Sequence, residues 1–474
     1  MDNGYTVAQI RAAEAAAMAV LGPDELMQRA AAGLATAVLR RLRDGGAYGA
    51  RVLLVVGSGN NCGDALFAGA RLAARGVAVT AWRTGPAVHD AGWAAFLAAG
   101  GRERDADGAR TQLSRQRLVI DGVAGIGSRP GLDTDVAAFA EACQALRVPV
   151  VAVDLPSGLA PEPPFGDDPH FTADLTVTFG GFKLCQLLEP SRSSCGDLEL
   201  VSIGLDLPEP TVSRWTPDEL ATAWPLPDAS SDKYSRGVVG LDTGSVDYPG
   251  AAVLSAAGAV GAGAGMVRYL GPLPVAPRVL DRFPNVVIGQ GRVQALVVGS
   301  GWGERKDTGV VTRAMKAGVP MVVDADALRH LPTRGGHAAV VLTPHAGELA
   351  RLLGLQRAEV EADPLAAVRT AVAHTGCTVL LKGATQYVAT PGEHRVWLAI
   401  PGPGWTAQAG SGDVLAGACG SLLAAGLPPL EAALAAASVQ AVAAGRYPGP
   451  LPPQALAERM FNVVREVVQN SCGA

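Results

Sequence analysis

The sequence predicts an α/β protein of two domains, 1–212 and 213–474, each built on a mostly parallel sheet. Short apolar runs of strand length recur between helix-length segments, an alternation that favours parallel strands. Most of these runs end directly in glycines beside a carboxylate or amide. A chain of 474 residues with 59 glycines and only 5% aromatic residues is long enough for two cores, and its composition suits closely packed Ala/Gly-rich helices.

In chain order, residues 1–30 lack a basic stretch followed by an apolar block, so they read as amphipathic helix rather than a secretory leader. The run 52–56 reads as a buried strand. Gly57-Ser58-Gly59-Asn60-Asn61-Cys62-Gly63-Asp64 follows it, ahead of a helical run at 65–74. One such glycine-rich turn is common in nucleotide-binding α/β domains. Here two more strand ends accompany it. The run 118–120 leads into Asp121 and then Gly125-Ile126-Gly127-Ser128-Arg129-Pro130-Gly131, and the run 150–153 leads into Asp154-Leu155-Pro156-Ser157-Gly158. The last segment alone could be a plain turn, since Pro, Ser and Gly are turn residues. Together, Asn61, Asp121 and Ser157 offer hard oxygen ligands from three strand ends, which suits an alkali cation better than zinc. The glycines let backbone approach a phosphate-bearing ligand, and Arg129 among them favours phosphate contact.

A boundary lies at the Pro-rich 206–211 and the Pro/Ser-rich 224–231, with a short helix expected at 215–223. Residues 248–267 carry no charge, but with five glycines and seven alanines they read as a buried helix rather than a membrane span. Four more strands end in polar or glycine residues: 295–298 before Gly299-Ser300-Gly301-Trp302-Gly303, 321–323 before Asp324-Ala325-Asp326, 340–342 before Thr343-Pro344-His345, and 378–381 before Lys382-Gly383. In an open parallel sheet such ends converge on one crevice. The most informative run is 408–417. Gly410, Ser411 and Gly412 form a side-chain-poor turn, and the apolar residues 414–423 supply a helix, so backbone N–H groups crowd at its start and favour an anion. Asp413 sits in that ring, where a carboxylate can accept a hydroxyl proton while the amides hold a transferring phosphoryl group. This suggests phosphoryl transfer from a nucleotide. A glycine-rich loop with Asp413 as N-cap is the bland alternative, and His345 could equally be a hydrogen-bonded loop histidine.

From about Lys233 onward the chain resembles the ribokinase-like family, and within it the ADP-dependent NAD(P)H-hydrate dehydratases. The matching residues are Lys233 to Gly237, Gly244-Ser245, Gly250-Ala251-Ala252, Gly299 to Gly303, His345, Lys382 to Gln386 and Gly412-Asp413. The resemblance implies a ribokinase-like α/β/α domain in which Ala251, Gly301, His345 and Asp413 meet the hydrate. Lys382, Gly383, Ala384, Thr385, Gln386 and Gly412 would cradle ADP, with Asp413 as base. Ala409 stands where the family pattern has glycine, and the Lys382 loop lacks a second glycine. Residues 6–201 resemble the NAD(P)H-hydrate epimerase family. This implies a Rossmann-like three-layer domain that binds the hydrate through Asn60, Asn61, Cys62, Gly63 and Asp64 and through Gly125, Ile126, Gly127, Ser128, Arg129, Pro130 and Gly131. Asp154 would act at the reacting ring, and potassium would sit at Asn61, Asp121 and Ser157. Lys183 falls near that site, unless it is a surface lysine. Cys62 and Ala65 depart from the family's loop. The two resemblances together imply repair of hydrated NADH and NADPH: epimerisation of the R and S hydrates, then dehydration of the S hydrate with ADP giving AMP and phosphate. ADP is consumed, and potassium and magnesium are the implied ions. A small-molecule kinase of the same fold joined to a non-catalytic binding module stays open.

Other classes are excluded more cheaply. A net charge of −5 without a basic, aromatic-interleaved cluster argues against nucleic acid. Seven cysteines without a C-x-x-C pair argue against zinc or a disulfide framework and point to a reducing cytoplasm. A homo-oligomer without membrane attachment is expected.

Overall fold

Residues 3–211 form one unit of the chain, and residues 1–2 with 212–474 form the other. The computed structural model describes residues 1–305, 309–332, 339–447 and 449–472.

In the N-terminal unit, β1 (Asp2–Tyr5) is followed by β2 (Arg51–Val56), β3 (Ala78–Arg83), β4 (Arg102–Arg104), β5 (Leu118–Gly122), β6 (Val150–Val153), β7 (Leu175–Phe179), β8 (Phe182–Lys183) and β9 (Asp197–Val201). The sheet runs β4-β3-β2-β5-β6-β7-β9, and every pairing in it is parallel. β8 pairs with β1 through Gly4 and Tyr5. Both faces are covered. Leu54, Val56, Ile120 and Val153 pack with Leu34, Val38, Leu66 and Leu72, whereas Leu53, Val55, Val119 and Val150 pack with Trp82, Phe139 and Leu113. Burial on both faces is why these strands read as continuous Val/Leu/Ile runs rather than alternating ones.

In the C-terminal unit the strands are β10 (Val212–Arg214), β11 (Val238–Asp242), β12 (Met266–Tyr269), β13 (Val287–Ile288), β14 (Ala295–Val298), β15 (Met321–Val323), β16 (Val340–Leu342), β17 (Thr378–Leu381), β18 (Tyr387–Ala389) and β19 (Val396–Leu398). The order β13-β12-β11-β14-β15-β16-β17 is parallel. β18 then pairs antiparallel with β17 and with β19, and β10 lies parallel to β19. Helices Pro249–Gly261 and Ser411–Ala424 cross at backbone contact. A Cβ on Gly258 would lie 2.0 Å from the Val414 carbonyl oxygen, and one on Gly417 would lie 2.0 Å from that of Ser255.

Several expected boundaries move. Residues 1–30 hold β1, a helix Val7–Leu21 capped by Thr6 and Gln9, and the start of a second helix Pro23–Leu42; Gly22, at φ +89°, separates the two. The helix expected at 65–74 starts at Asn60, after the extended N-cap Gly59, so Asn60 to Asp64 form its first turns rather than a loop. The strand expected to stop at 120 continues through Asp121 and Gly122. The uncharged 248–267 segment is a 13-residue helix with Pro249 in its first turn, a bend at Gly263 (φ +88°) and the start of β12. Among the described residues no helix is long and apolar enough to cross a membrane. The linker helix is Pro217–Ala223, closed by a Thr216–Glu219 capping box.

Gly258→Val should lower the stability of the C-terminal unit by about 1–3 kcal/mol or more, because overpacking against backbone cannot be relieved by a side-chain rotation. Urea unfolding of the purified variant measures this. An unshifted midpoint would contradict the close helix crossing.

Candidate active sites

In the C-terminal unit the strand ends meet around an ion pair whose carboxylate is buried. Lys382, just after β17, places Nζ 2.8 Å from Asp324 Oδ1 and 4.0 Å from Glu348 Oε2. Asp324, just after β15, is 1% exposed and is otherwise satisfied: Thr343 Oγ1 donates to Oδ1 at 2.8 Å, and Ser300 Oγ donates to Oδ2 at 2.8 Å. The 299–303 loop is thereby tied to β15, and Gly244 N–H bonds the Ser300 carbonyl at 2.7 Å. A Cβ on Gly301 (φ +66°) would stand 2.5 Å from the Ala251 Cβ, so these two predicted residues touch.

The helix Ser411–Ala424 points its N-terminus at this cluster. Gly410 caps it at φ +92°, Ser411 Oγ donates to the Thr406 and Gln408 carbonyls, and Lys382 Nζ lies 3.3 Å from where a Gly412 Cβ would be. A side chain at 412 would crowd the ammonium. Asp413 is in the first turn rather than at the N-cap. Burial, then the charge of Asp324, push its carboxyl up to about 7, with Lys382 opposing. Burial works against the Lys382 ammonium, but Asp324, Glu348 and Asp413 outweigh it and hold the group above its ordinary range. A cavity of about 460 Å³ opens beside them, lined among others by His345, Lys382, Gly383, Ala384, Gln386 and Gly412. That size suits a small-molecule ligand. Thr385 is outside this lining. His345 caps the helix Ala346–Leu353, accepting at Nδ1 from Gly347 and Glu348 N–H, and burial keeps its imidazole below the ordinary range.

In the N-terminal unit three strand ends close on one another. A Cβ on Gly57 would lie 2.1 Å from the Val123 carbonyl oxygen, so the loops after β2 and β5 touch through backbone. Asp121 is fully buried. It accepts from Ser157 N–H at 2.7 Å and Ser157 Oγ at 2.6 Å, with Val123 N–H at 3.3 Å. Burial pushes its carboxyl up to about 6 against those hydrogen bonds, and among the described residues it makes no ion pair. Asn61 Nδ2 donates to the Val153 carbonyl at 2.5 Å and the Ala124 carbonyl at 3.1 Å, and Ser157 Oγ accepts from Ala124 N–H at 2.8 Å. Asn61, Asp121 and Ser157 are therefore held around the Val123–Ala124 backbone.

Asp154 follows β6 with a left-handed φ of +68°, a strained state for a residue with a side chain. It is held there from both sides. Gln186 Nε2 donates to its carbonyl at 2.5 Å, while Thr178 Oγ1 (3.2 Å), Phe179 N–H (3.3 Å) and the Lys183 ammonium all donate to Oδ1. Lys183 is 1% exposed, which rules out the surface reading, and it also donates to Thr178 Oγ1 and the Phe179 carbonyl at 3.0 Å each. Of the other predicted residues, Asp64 is buried near enough to this pair to feel its charges and Gly125 packs against the Asn61 side chain, whereas Asn60 is exposed and Gly63 faces Met27 and His89. Ile126 is half-buried, whereas Gly127, Ser128, Arg129 and Pro130 are exposed, and Gly131 N–H bonds the Gly158 carbonyl at 2.8 Å. Cys62 instead turns its side chain fully into the core, so position 62 can reach a ligand only through backbone.

Sequence reasoning had placed Asp324 at a strand end without giving it a role, and it missed Ser300, Thr343 and Glu348 as its neighbours. It also missed Arg11 and Glu14. Their i, i+3 spacing on the first helix was the available signal.

Comparison with known proteins covers both units. Residues 239–450 match the family model described as NAD(P)H-hydrate dehydratase, and residues 23–185 match that described as YjeF-related protein N-terminus. The bifunctional NAD(P)H-hydrate repair enzyme of Mycobacterium leprae is 44% identical over 98% of this chain and 99% of its own. That of Escherichia coli is 32% identical over 83% of this chain and 80% of its own. Among solved structures, the Bacillus subtilis ADP/ATP-dependent NAD(P)H-hydrate dehydratase co-crystallized with ATP/Mg2+ matches 54% of this chain and 99% of its own, at TM-score 0.50 and 26% identity. A ribokinase-like superfamily protein of Enterococcus faecalis, 20% identical at TM-score 0.50, shares the fold of that half.

Asp324→Asn should lower the pH at which Asp413 titrates, since it removes a like charge and frees Lys382 toward Asp413. A carboxyl-carbon NMR titration of Asp413 tests this, and an unchanged or raised midpoint would refute the electrostatic account.

Proposed function

The chain belongs to the bifunctional NAD(P)H-hydrate repair enzymes, and from that premise we propose that its two units carry the two activities: hydrate epimerisation in the N-terminal unit and ADP-dependent dehydration in the C-terminal unit. The observation that carries this reading is the pairing, on one chain, of Asp413 beside a lysine and a helix N-terminus with Asp154 held beside a second buried lysine. A kinase fused to a non-catalytic module is disfavoured, because the Mycobacterium leprae relative spans both halves.

In the dehydratase unit, ADP would lie in the cavity over Gly383, Ala384 and Gln386, with Thr385 beside it. Its terminal phosphoryl group would face Lys382 and the amides of Gly412 and its neighbours. Ala251, Gly301 and His345 would meet the hydrate. Asp413 takes the proton of the 6-hydroxyl as that oxygen attacks phosphorus, and AMP departs. Phosphate then leaves C6 with its electron pair, C5 loses a proton, and the 5,6 double bond of the dihydronicotinamide returns. Phosphorylation turns hydroxide, a poor leaving group, into a good one. Magnesium fits as an ion carried on the nucleotide phosphates. Among the described residues no cluster of three or more acidic, histidine or cysteine side chains offers it a separate cage.

In the epimerase unit, the first turns of the helix from Asn60 and the 125–131 segment would hold the hydrate, with Asp154 moving a proton at C6. Potassium suits Asn61, Asp121 and Ser157. The donors are hard oxygens, and among the described residues the buried Asp121 carboxylate has no cationic side chain as partner. The ion would supply that charge and hold three strand ends in register. Six buried free thiols support a reducing, cytoplasmic setting.

Mixed R and S hydrates with excess ADP test the whole reading through the return of NADH absorbance. Wild type should convert both fractions faster than spontaneous epimerisation allows. Asp413→Asn should lose about 10²- to 10⁴-fold in dehydration while still interconverting the epimers. Dehydratase kcat/KM of the wild type should rise with pH through about 7, as the Asp413 carboxyl ionises to its basic form. A flat profile across that range would remove Asp413 from the role of base. Separately, Asp121→Ala should weaken hydrate binding and make it insensitive to potassium. Binding that still responds to potassium in that variant would place the ion elsewhere.

A further inference from the structure

The Asp64 side chain makes no hydrogen bond and no ion pair among the described residues, although only 7% of the residue's surface is exposed. It sits one turn after Asn61, whose amide is bonded to the Val153 carbonyl directly before Asp154. Residues three apart share a helix face, so Asp64 fronts the same end of β6. Thr178, Phe179 N–H and Lys183 all donate to Asp154 Oδ1, and among the described residues Oδ2 accepts nothing. A third carboxyl, Glu14 on the helix Val7–Leu21, is half-buried and likewise unpartnered. Arg11, one turn before it, reaches to 3.0 Å from where a Gly127 Cβ would stand, which seats this helix against the 125–131 segment.

The charged groups facing Asp64 are thus Asp154, Glu14 and Lys183, with Arg11 beside Glu14 and Cys62 behind it on the core side. Three carboxyls share one buried ammonium, so they cannot all ionise together. Burial first, then Asp154 and Glu14, hold the Asp64 carboxyl well above its ordinary range against the pull of Lys183. Glu14 is raised too, by burial and then by Asp154. A carboxyl kept neutral beside one held in an ion pair is the division that separates a proton donor from a proton acceptor.

We propose that Asp64 is a catalytic proton donor in the epimerisation, acting against Asp154 as acceptor. This rests on the epimerase reading above and assigns the acid that reading lacks. In one direction the Asp64 proton moves to the 6-hydroxyl, the C6–O bond breaks with its electron pair leaving on water, and the N1 lone pair forms N1=C6. Water then adds to the other face of C6, the C=N pair returns to N1, and the water's proton goes to Asp154. Asp64 then regains a proton from solvent and Asp154 releases one to it, which restores the starting state. The reverse direction exchanges the two roles.

The assay uses the full chain with mixed hydrates and excess ADP, where the slow phase after the S fraction is consumed reports epimerisation. Asp64→Asn should cut the slow-phase kcat by about 10²- to 10⁴-fold with little change in KM, and Glu14→Gln, which removes a carboxyl that raises Asp64, should move the basic limb of the pH profile downward. Wild-type slow-phase kcat should fall as pH rises through the ionisation of Asp64, a measurement that does not depend on the folding of any variant. Asp64→Asn with an unchanged kcat, a loss confined to KM, or a wild-type profile without that basic limb overturns the donor role and leaves the epimerase reading standing. A wild-type slow phase no faster than the uncatalysed rate overturns both.

Discussion

Each unit sets a lysine ammonium against a buried aspartate at the carboxyl end of its sheet, the partly exposed Lys382 with Asp324 and the buried Lys183 with Asp154. Taking such charges out of water is costly, and removing one partner of a buried pair typically costs about 3–5 kcal/mol because the other is left uncompensated. The surrounding structure is arranged to avoid that outcome. Asp324 spends both oxygens on Lys382, Thr343 and Ser300, which draws the loops after β14, β15, β16 and β17 to one point. Asp154 is locked through its carboxylate and its carbonyl, and the lock holds a strained backbone in place.

The second consequence is electrostatic. An ammonium already paired to one aspartate only partly offsets burial and like charge at a second carboxyl, so Asp413 and Asp64 are both pushed upward, chiefly by burial. Two unrelated sites thereby reach a similar condition, with one carboxylate in an ion pair and another placed to exchange a proton. In the proposed chemistry one of these groups works as a base and the other as an acid. The difference follows from what faces them: Asp413 lies beside a helix N-terminus and Lys382, whereas Asp64 lies among carboxyls.

Glycine provides the approach that these arrangements need. Gly258 and Gly417 let the helix Ser411–Ala424 press against its neighbour, and Gly412 leaves room for Lys382 at its N-terminus. Gly57 allows the β2 and β5 loops to meet through backbone, so that Asn61 reaches the β6 end. A methyl group at these positions would collide with carbonyl oxygens or crowd the lysine, separating groups whose function requires contact.

The sequence by itself determined the α/β class, the strands that end in charged or glycine residues, and the residue types at those ends. Each of these depends on local pattern: apolar runs, turn residues and short motifs are visible within a few positions. It placed Asp413 at a helix start and Lys382, Asp154 and Ser157 past strand ends, whereas Asn61 lies in a helix's first turn and Asp121 inside its strand. It did not place the helix start at Asn60 or the break at Gly22, because a helix's first turn is decided by what its N–H groups and apolar face meet. Only the tertiary structure decided that Lys183 is buried on Asp154, that Asp324 holds Lys382, and that Glu14 and Asp64 face the same carboxylate. Those contacts join residues 29, 58 and more positions apart, and their charge states depend on burial that no local window of sequence contains.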